Sequence, residues 1–126
     1  MIDLSDAQFH KVFLVEAKGD TLIVSPTGEA FEFRHSLVIS EMNTILDVLE
    51  DPEVQDLVID LGREEYYGSV IIGAVNSMVN KVLDRGGRVA TCNASEEMQN
   101  VIRIMNLTER WLNYPSRRKA LKAVKA

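Results

Sequence analysis

The segment Gly62-Arg63-Glu64-Glu65-Tyr66-Tyr67-Gly68-Ser69-Val70 gathers the side chains of this sequence best able to do chemistry. Ser69 stands immediately before a long helical pattern. Its hydroxyl is therefore placed to accept from the first free backbone N–H groups of that helix, as an N-cap. The same position suits phosphorylation. A phosphate there would meet unsatisfied N–H groups and the positive end of the helix dipole, and would add about two negative charges without unfolding the chain. Gly68 leaves the backbone open and the hydroxyl accessible. Spacing excludes other chemistries. No lysine precedes Ser69, so the segment is not a G-x-x-x-x-G-K-[ST] loop, nor is it a G-x-G-x-x-G turn. Tyr67 before Gly68, and Ile71 two places after Ser69, exclude a G-x-S-x-G nucleophile elbow. Glu64 and Glu65 are adjacent loop residues and are read as solvated rather than as an acid–base pair, since perturbed carboxylates need burial.

The remaining reactive side chains carry no constellation. Cys92 is the one cysteine, so no internal disulfide and no cysteine metal cluster can form. It ends a predicted core strand, where packing is its expected role, and no lysine or arginine adjoins it to stabilise a thiolate. His10 and His35 fall in polar edge segments and could not hold zinc without several carboxylate partners. No catalytic residue, metal or cofactor is assigned, and the chain is read as a non-enzyme.

Composition frames these residues. The chain has 126 residues, 46% hydrophobic and 26% charged, which predicts one domain over 1–126 with its core at about 12–124. No apolar run approaches the ~20 residues of a membrane span, and the acidic start is unlike a signal peptide, so a cytoplasmic protein without membrane insertion is expected. The net charge of -5 argues against nucleic-acid binding. That charge is uneven. From Thr108 onward Arg110, Arg117, Arg118, Lys119, Lys122 and Lys125 face only Glu109, a tail of +5, which leaves -10 for residues 1 to 107. The tail is read as a solvated helix face or as a segment folding back on the acidic body, with an acidic partner or anionic surface as the alternative.

The elements that must position Ser69 follow from periodicity. Val12 to Ala17, the turn Gly19-Asp20, and Thr21 to Ser25 predict a hairpin closed by Pro26-Thr27-Gly28. Phe31 and Phe33 alternate with polar residues as a short extended piece. Val38, Met42, Ile45 and Leu49 form a helical stripe, with Ser36 or Ser40 as cap and Pro52 as stop. Leu57 to Leu61 reads as a buried central strand carrying one acid. Ile71, Val75, Met78 and Val82 mark a long helix ended by Gly86-Gly87, and Arg88 to Asn93 the next strand. Ser95 caps a helix with Met98, Val101, Ile102 and Met105 inward. A strand at Arg110 to Tyr114, with Trp111 and Tyr114 covering one end of the sheet, precedes a last helix with Leu121 and Val124 inward. The prediction is an α/β fold: a mixed, mostly parallel sheet opened by an antiparallel hairpin and packed with about four helices.

This ordered set resembles the STAS domain family, named for sulphate transporters and bacterial anti-sigma factor antagonists. TLIVSPTGEA (Thr21 to Ala30) is similar to the family's strand ending in a threonine-glycine-acid step. LVIDL, the helix from Ser69 to Arg85, Gly86-Gly87, RVATCN and the helix leading to NLTERW follow in the family's order, over about Val12 to Val124. Aligned on Gly86-Gly87, the family's Asp-Ser-Ser/Thr-Gly motif falls on Gly68, Ser69, Val70 and Ile71. Ser69 thus matches the serine that partner kinases phosphorylate, while Gly68, Val70 and Ile71 replace the aspartate, the second hydroxyl and the glycine. The resemblance implies a cytoplasmic bacterial regulator of transcription that binds an anti-sigma factor or related serine kinase, switched at Ser69. Glu64, Glu65, Tyr66, Tyr67, Gly68, Ser69 and Val70 would be its partner-binding surface. A divergent module that binds a protein or small ligand without phosphorylation is the alternative, with Tyr66 and Tyr67 offering a different contact surface. Homo-oligomerisation stays open.

Overall fold

The computed structural model describes residues 2–28 and 34–126. The extended piece expected at Phe31 and Phe33, and the Glu29-Ala30 end of TLIVSPTGEA, lie outside the described residues. β-Branched and aromatic runs form β1 (Phe13–Lys18) and β2 (Thr21–Pro26), joined through Gly19 at φ 60°, a left-handed backbone that glycine adopts without strain. Then come α1 (His35–Val48), β3 (Asp56–Asp60), α2 (Ser69–Asp84), β4 (Val89–Cys92), α3 (Glu96–Ile104), β5 (Asn113–Tyr114) and α4 (Arg117–Lys125). The sheet order is β1-β2-β3-β4-β5, antiparallel at β1–β2 and parallel elsewhere, as the alternation of strand and helix patterns predicts.

Because strand order follows chain order, right-handed crossovers put α1, α2 and α3 on one face. That face holds the larger core, in which Leu22, Val24, Leu57 and Ile59 meet Ile45, Val75, Met78 and Met98. The opposite face is covered by α4, whose Ala120 and Val124 pack on Ile23, Val58, Ala90 and Cys92. The central strands are therefore apolar on both sides, which is why LVIDL reads as a continuous apolar run.

Helix ends repay close reading. Gly86 at φ 88° follows α2. The Gly86 N–H donates to Leu83 O (3.0 Å) and the Gly87 N–H to Val82 O (2.9 Å), the paired bonds of a Schellman motif. Gly87 is required for a second reason, since a Cβ there would stand 2.5 Å from Gln55 O. Asn106, at φ 59°, ends α3 with the same pair of bonds. Other expectations are corrected. Neither Ser36 nor Ser40 caps α1, because the extended residue before the helix is Arg34 and both serines already lie inside the helix. Met105 lies past the end of α3 and is exposed, and the strand expected from Arg110 shrinks to Asn113–Tyr114, whereas Val101 and Leu121, though half-buried, pack against the core as expected. Residues 107–111 are instead wound into a turn, with Arg110 and Trp111 N–H groups both donating to Leu107 O, and Trp111 is buried in the larger core.

One buried acid, on the core side of α1, has no counterpart in the apolar stripe. The Glu41 carboxylate is 5% exposed and accepts from Lys11, Val12 and Phe13 N–H at 2.9, 2.9 and 3.0 Å. The His10 side chain is buried beside it, its Nδ1 3.0 Å from Phe13 O and 3.5 Å from Glu41 Oε1. Glu41 thus anchors the chain entering β1 and satisfies donors for which no ladder partner exists. Glu41→Ala is expected to leave those buried N–H groups unpaired and to destabilise the fold by about 3 kcal/mol or more. Glu41→Gln, which keeps one acceptor oxygen, is expected to cost less than half as much in a urea titration.

Candidate functional site

The loop from β3 to α2 is held by three separate clamps. At its start, Asp60 Oδ1 accepts from Gly62 N–H (2.9 Å) and from Asn93 Nδ2 (3.2 Å), and Asp60 Oδ2 accepts from Arg117 Nε (3.0 Å). In its middle, Ser95 Oγ donates to Glu65 O (2.6 Å) while also accepting from Met98 N–H (3.0 Å), so the α3 cap doubles as a loop anchor. At its end, the Tyr67 hydroxyl donates to Pro26 O (3.1 Å) and accepts from Glu64 N–H (3.2 Å). Gly62 fits under Asn93 because it lacks a side chain; a Cβ there would lie 3.0 Å from both Asn93 Cβ and Asp60 Oδ1.

These clamps decide which predicted residues face outward. Ser69, Glu65 and Tyr66 are exposed, and Glu64, Gly68 and Val70 are half-buried. Tyr67 is a correction to the contact surface expected of the loop. Its side chain is fully buried in the larger core, because its ring completes the apolar layer while its hydroxyl reaches Pro26. Burial pushes the phenol up to about 12, with the charges of Glu64 and Asp60 acting in the same direction. Ser69 is a correction too. Gly68, extended at φ -70° and ψ 165°, is the N-cap, and Ser69 is the first helical residue. A cap side chain must spring from an extended residue, so the Ser69 hydroxyl makes no capping bond and stays free at the surface. The hydrogen bond between Ser95 and Glu65 brings the acids Glu96 and Glu97 of the first α3 turn toward the same loop.

Behind the loop, at the carboxyl ends of the strands, a polar cleft of ≈ 810 Å³ is lined by residues that include Asp60, Arg63, Asn93, Gln99 and Arg117. The chain leaves β4 toward one face and β5 toward the other, so the cleft opens where the connections diverge. Burial acts to raise the Asp60 carboxyl, but hydrogen bonds from Asn93, Gly62 and Arg117 and the Arg117 charge outweigh it and hold it below its ordinary 3.8. Cys92, fully buried at the end of β4, is pushed up to about 12 by burial and by the Asp60 charge. Packing is its role. Among the described residues no three His, Cys, Asp or Glu side chains converge as a metal site, and no helix is long and apolar enough to cross a membrane. Sequence reasoning passed over Asp60, Asn93 and Arg117. The signal available for Asp60 was the lone acid closing the apolar run Leu57 to Leu61.

A family model described as the STAS domain matches residues 13–120. An anti-sigma factor antagonist from Mycobacterium paratuberculosis is 25% identical, with 91% of this chain and 94% of that chain covered and a TM-score of 0.72. The unphosphorylated anti-sigma factor antagonist SpoIIAA is 18% identical over 90% of this chain and 96% of that one, at a TM-score of 0.74. The phosphorylated form of the Bacillus cell fate determinant SpoIIAA is 19% identical, covers 90% and 99%, and gives 0.69. No curated protein sequence gives a significant match.

Two outcomes are expected from this geometry. Asp60→Asn should destabilise the fold by about 1–2 kcal/mol near neutral pH, by weakening charge-assisted bonds to three partners. Because the folded carboxyl titrates below the unfolded one, that advantage of the wild type is complete above the ordinary carboxylate range. It is lost as pH falls through the lowered value. Urea midpoints of the two proteins measured down the pH scale should therefore converge only in acid. Cys92 should resist a thiol reagent in the native protein at about pH 8 and react promptly in denaturant; equal rates in both states would contradict its burial.

Proposed function

The chain belongs to the STAS domain family, and from that premise we propose that it is a regulatory protein-interaction module of the anti-sigma factor antagonist type, with Ser69 as its phosphorylation switch. Its partner on this reading is an anti-sigma factor or a related serine kinase. The observation that carries the reading is the placement of Ser69: exposed, free of a capping bond, and on a loop fixed by clamps at Asp60, Glu65 and Tyr67. A kinase needs a hydroxyl that is both reachable and presented in a reproducible backbone, and the clamps supply the second condition. Glu65, Tyr66 and Ser69 form the contact surface, with Gly68 and Val70 beneath them. Output by binding fits a loop that offers an exposed aromatic anchor at Tyr66.

Phosphorylation adds a dianion at the first residue of α2, where the free N–H groups and the helix dipole tolerate it. The fold is unaffected. The bound partner, however, must then bury or repel that charge beside Glu65, so the complex weakens while both proteins stay intact.

A second reading, binding without phosphorylation, is favoured by one observation. Ile71, which the alignment on Gly86-Gly87 puts opposite the motif's glycine, is 1% exposed and part of the larger core, and Val70 is half-buried against that core. The loop is thereby stiffened by apolar packing at positions where the motif offers a hydroxyl and an open backbone. The two readings separate in one experiment. The protein is incubated with ATP and serine kinases of its source organism, phosphate is mapped by mass spectrometry, and partner capture is compared for wild type, Ser69→Ala and Ser69→Asp. The switch reading expects phosphate on Ser69 and at least about tenfold weaker capture by Ser69→Asp alone. An unphosphorylated Ser69, with capture equal for all three proteins, overturns it in favour of the second reading.

A further inference from the structure

The basic tail divides into two kinds of cation. Arg117 and Lys125 are engaged by the body: Arg117 bonds Glu16 (2.6 Å) and Asp60 (3.0 Å), and Lys125 bonds Asp20 and Asp56, the latter at 2.6 Å. Arg118, Lys119 and Lys122 on the same helix are exposed and have no acidic partner among the described residues, and neither does Lys18 at the end of β1. Between α4 and the β1–β2 hairpin runs an open groove of ≈ 780 Å³. Lys18, Arg118 and Lys122 stand on it, and Thr21 and the half-buried Leu121 contribute its less polar part. Three unneutralised cations thus surround an apolar strip in a chain whose remainder is strongly acidic.

We propose that this groove docks an acidic segment of a partner protein, one carrying carboxylates on either side of an apolar side chain. Charge complementarity selects the occupant. Carboxylates reach Lys18 from one rim and Arg118 and Lys122 from the other, while an apolar side chain covers Leu121. A long polyanion such as RNA would extend past three cations onto a body of net negative charge, and few phosphates would be neutralised. A membrane surface is flat where the groove is concave. The site lies on the α4 face of the sheet, opposite the face on which α2 packs, so its occupancy does not depend on the Ser69 reading.

The test uses the full chain and a fluorescent ten-residue peptide of alternating Glu and Leu, followed by anisotropy at low ionic strength. The wild type is expected to bind it, and to ignore a peptide with Lys in place of Glu. The triple variant K18E/R118E/K122E is expected to weaken binding at least about tenfold. Lys122→Glu alone should weaken it measurably, whereas Lys119→Glu, the same charge change on the same helix but outside the groove, should alter it by no more than about twofold, and Ser69→Asp should leave it unchanged. Circular dichroism checks that each variant is folded; the replaced side chains are exposed. The proposal is overturned if the wild type does not bind, if Lys119→Glu weakens binding as much as Lys122→Glu, or if Ser69→Asp abolishes it. Stronger binding of a single-stranded RNA, or of vesicles containing anionic lipid, than of the peptide also overturns it.

Discussion

A single carboxylate at the carboxyl end of β3 holds together the β3–α2 loop, the end of β4 and the start of α4. Asp60 receives Gly62 from its own loop, Asn93 from the end of β4, and Arg117 from the start of α4. Three chain segments that are distant in sequence therefore meet on two oxygens. A half-buried carboxylate is costly unless its lone pairs are filled, and here the cost is offset by charge-assisted bonds that also fix geometry. The loop presenting Ser69 inherits that geometry. So does the cleft behind it, whose lining includes Gly62, Asn93 and Arg117, the three residues that Asp60 joins.

The sheet divides the molecule into two unequal surfaces. On the face of α1, α2 and α3 an extensive apolar core supports a clamped loop with an exposed serine and aromatic ring. On the other face α4 covers β3 and β4, and its inward cations are neutralised by Glu16, Asp20, Asp56 and Asp60. The tail's charge is thus partly structural. On α4 the cations without an acidic partner among the described residues, Arg118, Lys119 and Lys122, are all exposed, so the basic character of this helix survives as a local surface instead of dissolving into the acidic whole.

The sequence was most legible where a side chain's role follows from periodicity. The stripes of α1, α2 and α3, the hairpin and the buried run of β3 all appear in the pattern of apolar residues. Gly86-Gly87 announced the end of α2 because glycine suits both the left-handed backbone at Gly86 and the close approach of Gln55 to Gly87. Tertiary polar contacts were illegible. Glu41 sits on the buried side of α1 because three N–H groups twenty-eight to thirty residues away need an acceptor, and no local signal encodes that need. Tyr67 reads like Tyr66 in a polar loop, yet the shape of the core takes one ring and leaves the other outside. Ser69 was expected as a cap because boundaries of helices are set by single backbone angles, here those of Gly68.

The sequential order of the strands bears on how the molecule is made. Each new strand of β2 to β5 pairs with the one completed before it, so none has to be inserted between strands already joined. Such a sheet can lengthen from the N-terminal hairpin as the chain emerges from the ribosome, with each step closing only a moderate loop. The exception is α4. Lys125 reaches back 105 residues to Asp20, and Arg117 reaches 101 residues to Glu16. A helix that follows every strand of the sheet in the chain thus latches onto the β1–β2 hairpin, and its docking is possible only on a sheet that is already complete. In that sense α4 reports on assembly: a misregistered strand among β1, β2 and β3 would misplace at least one of the four acids it must find.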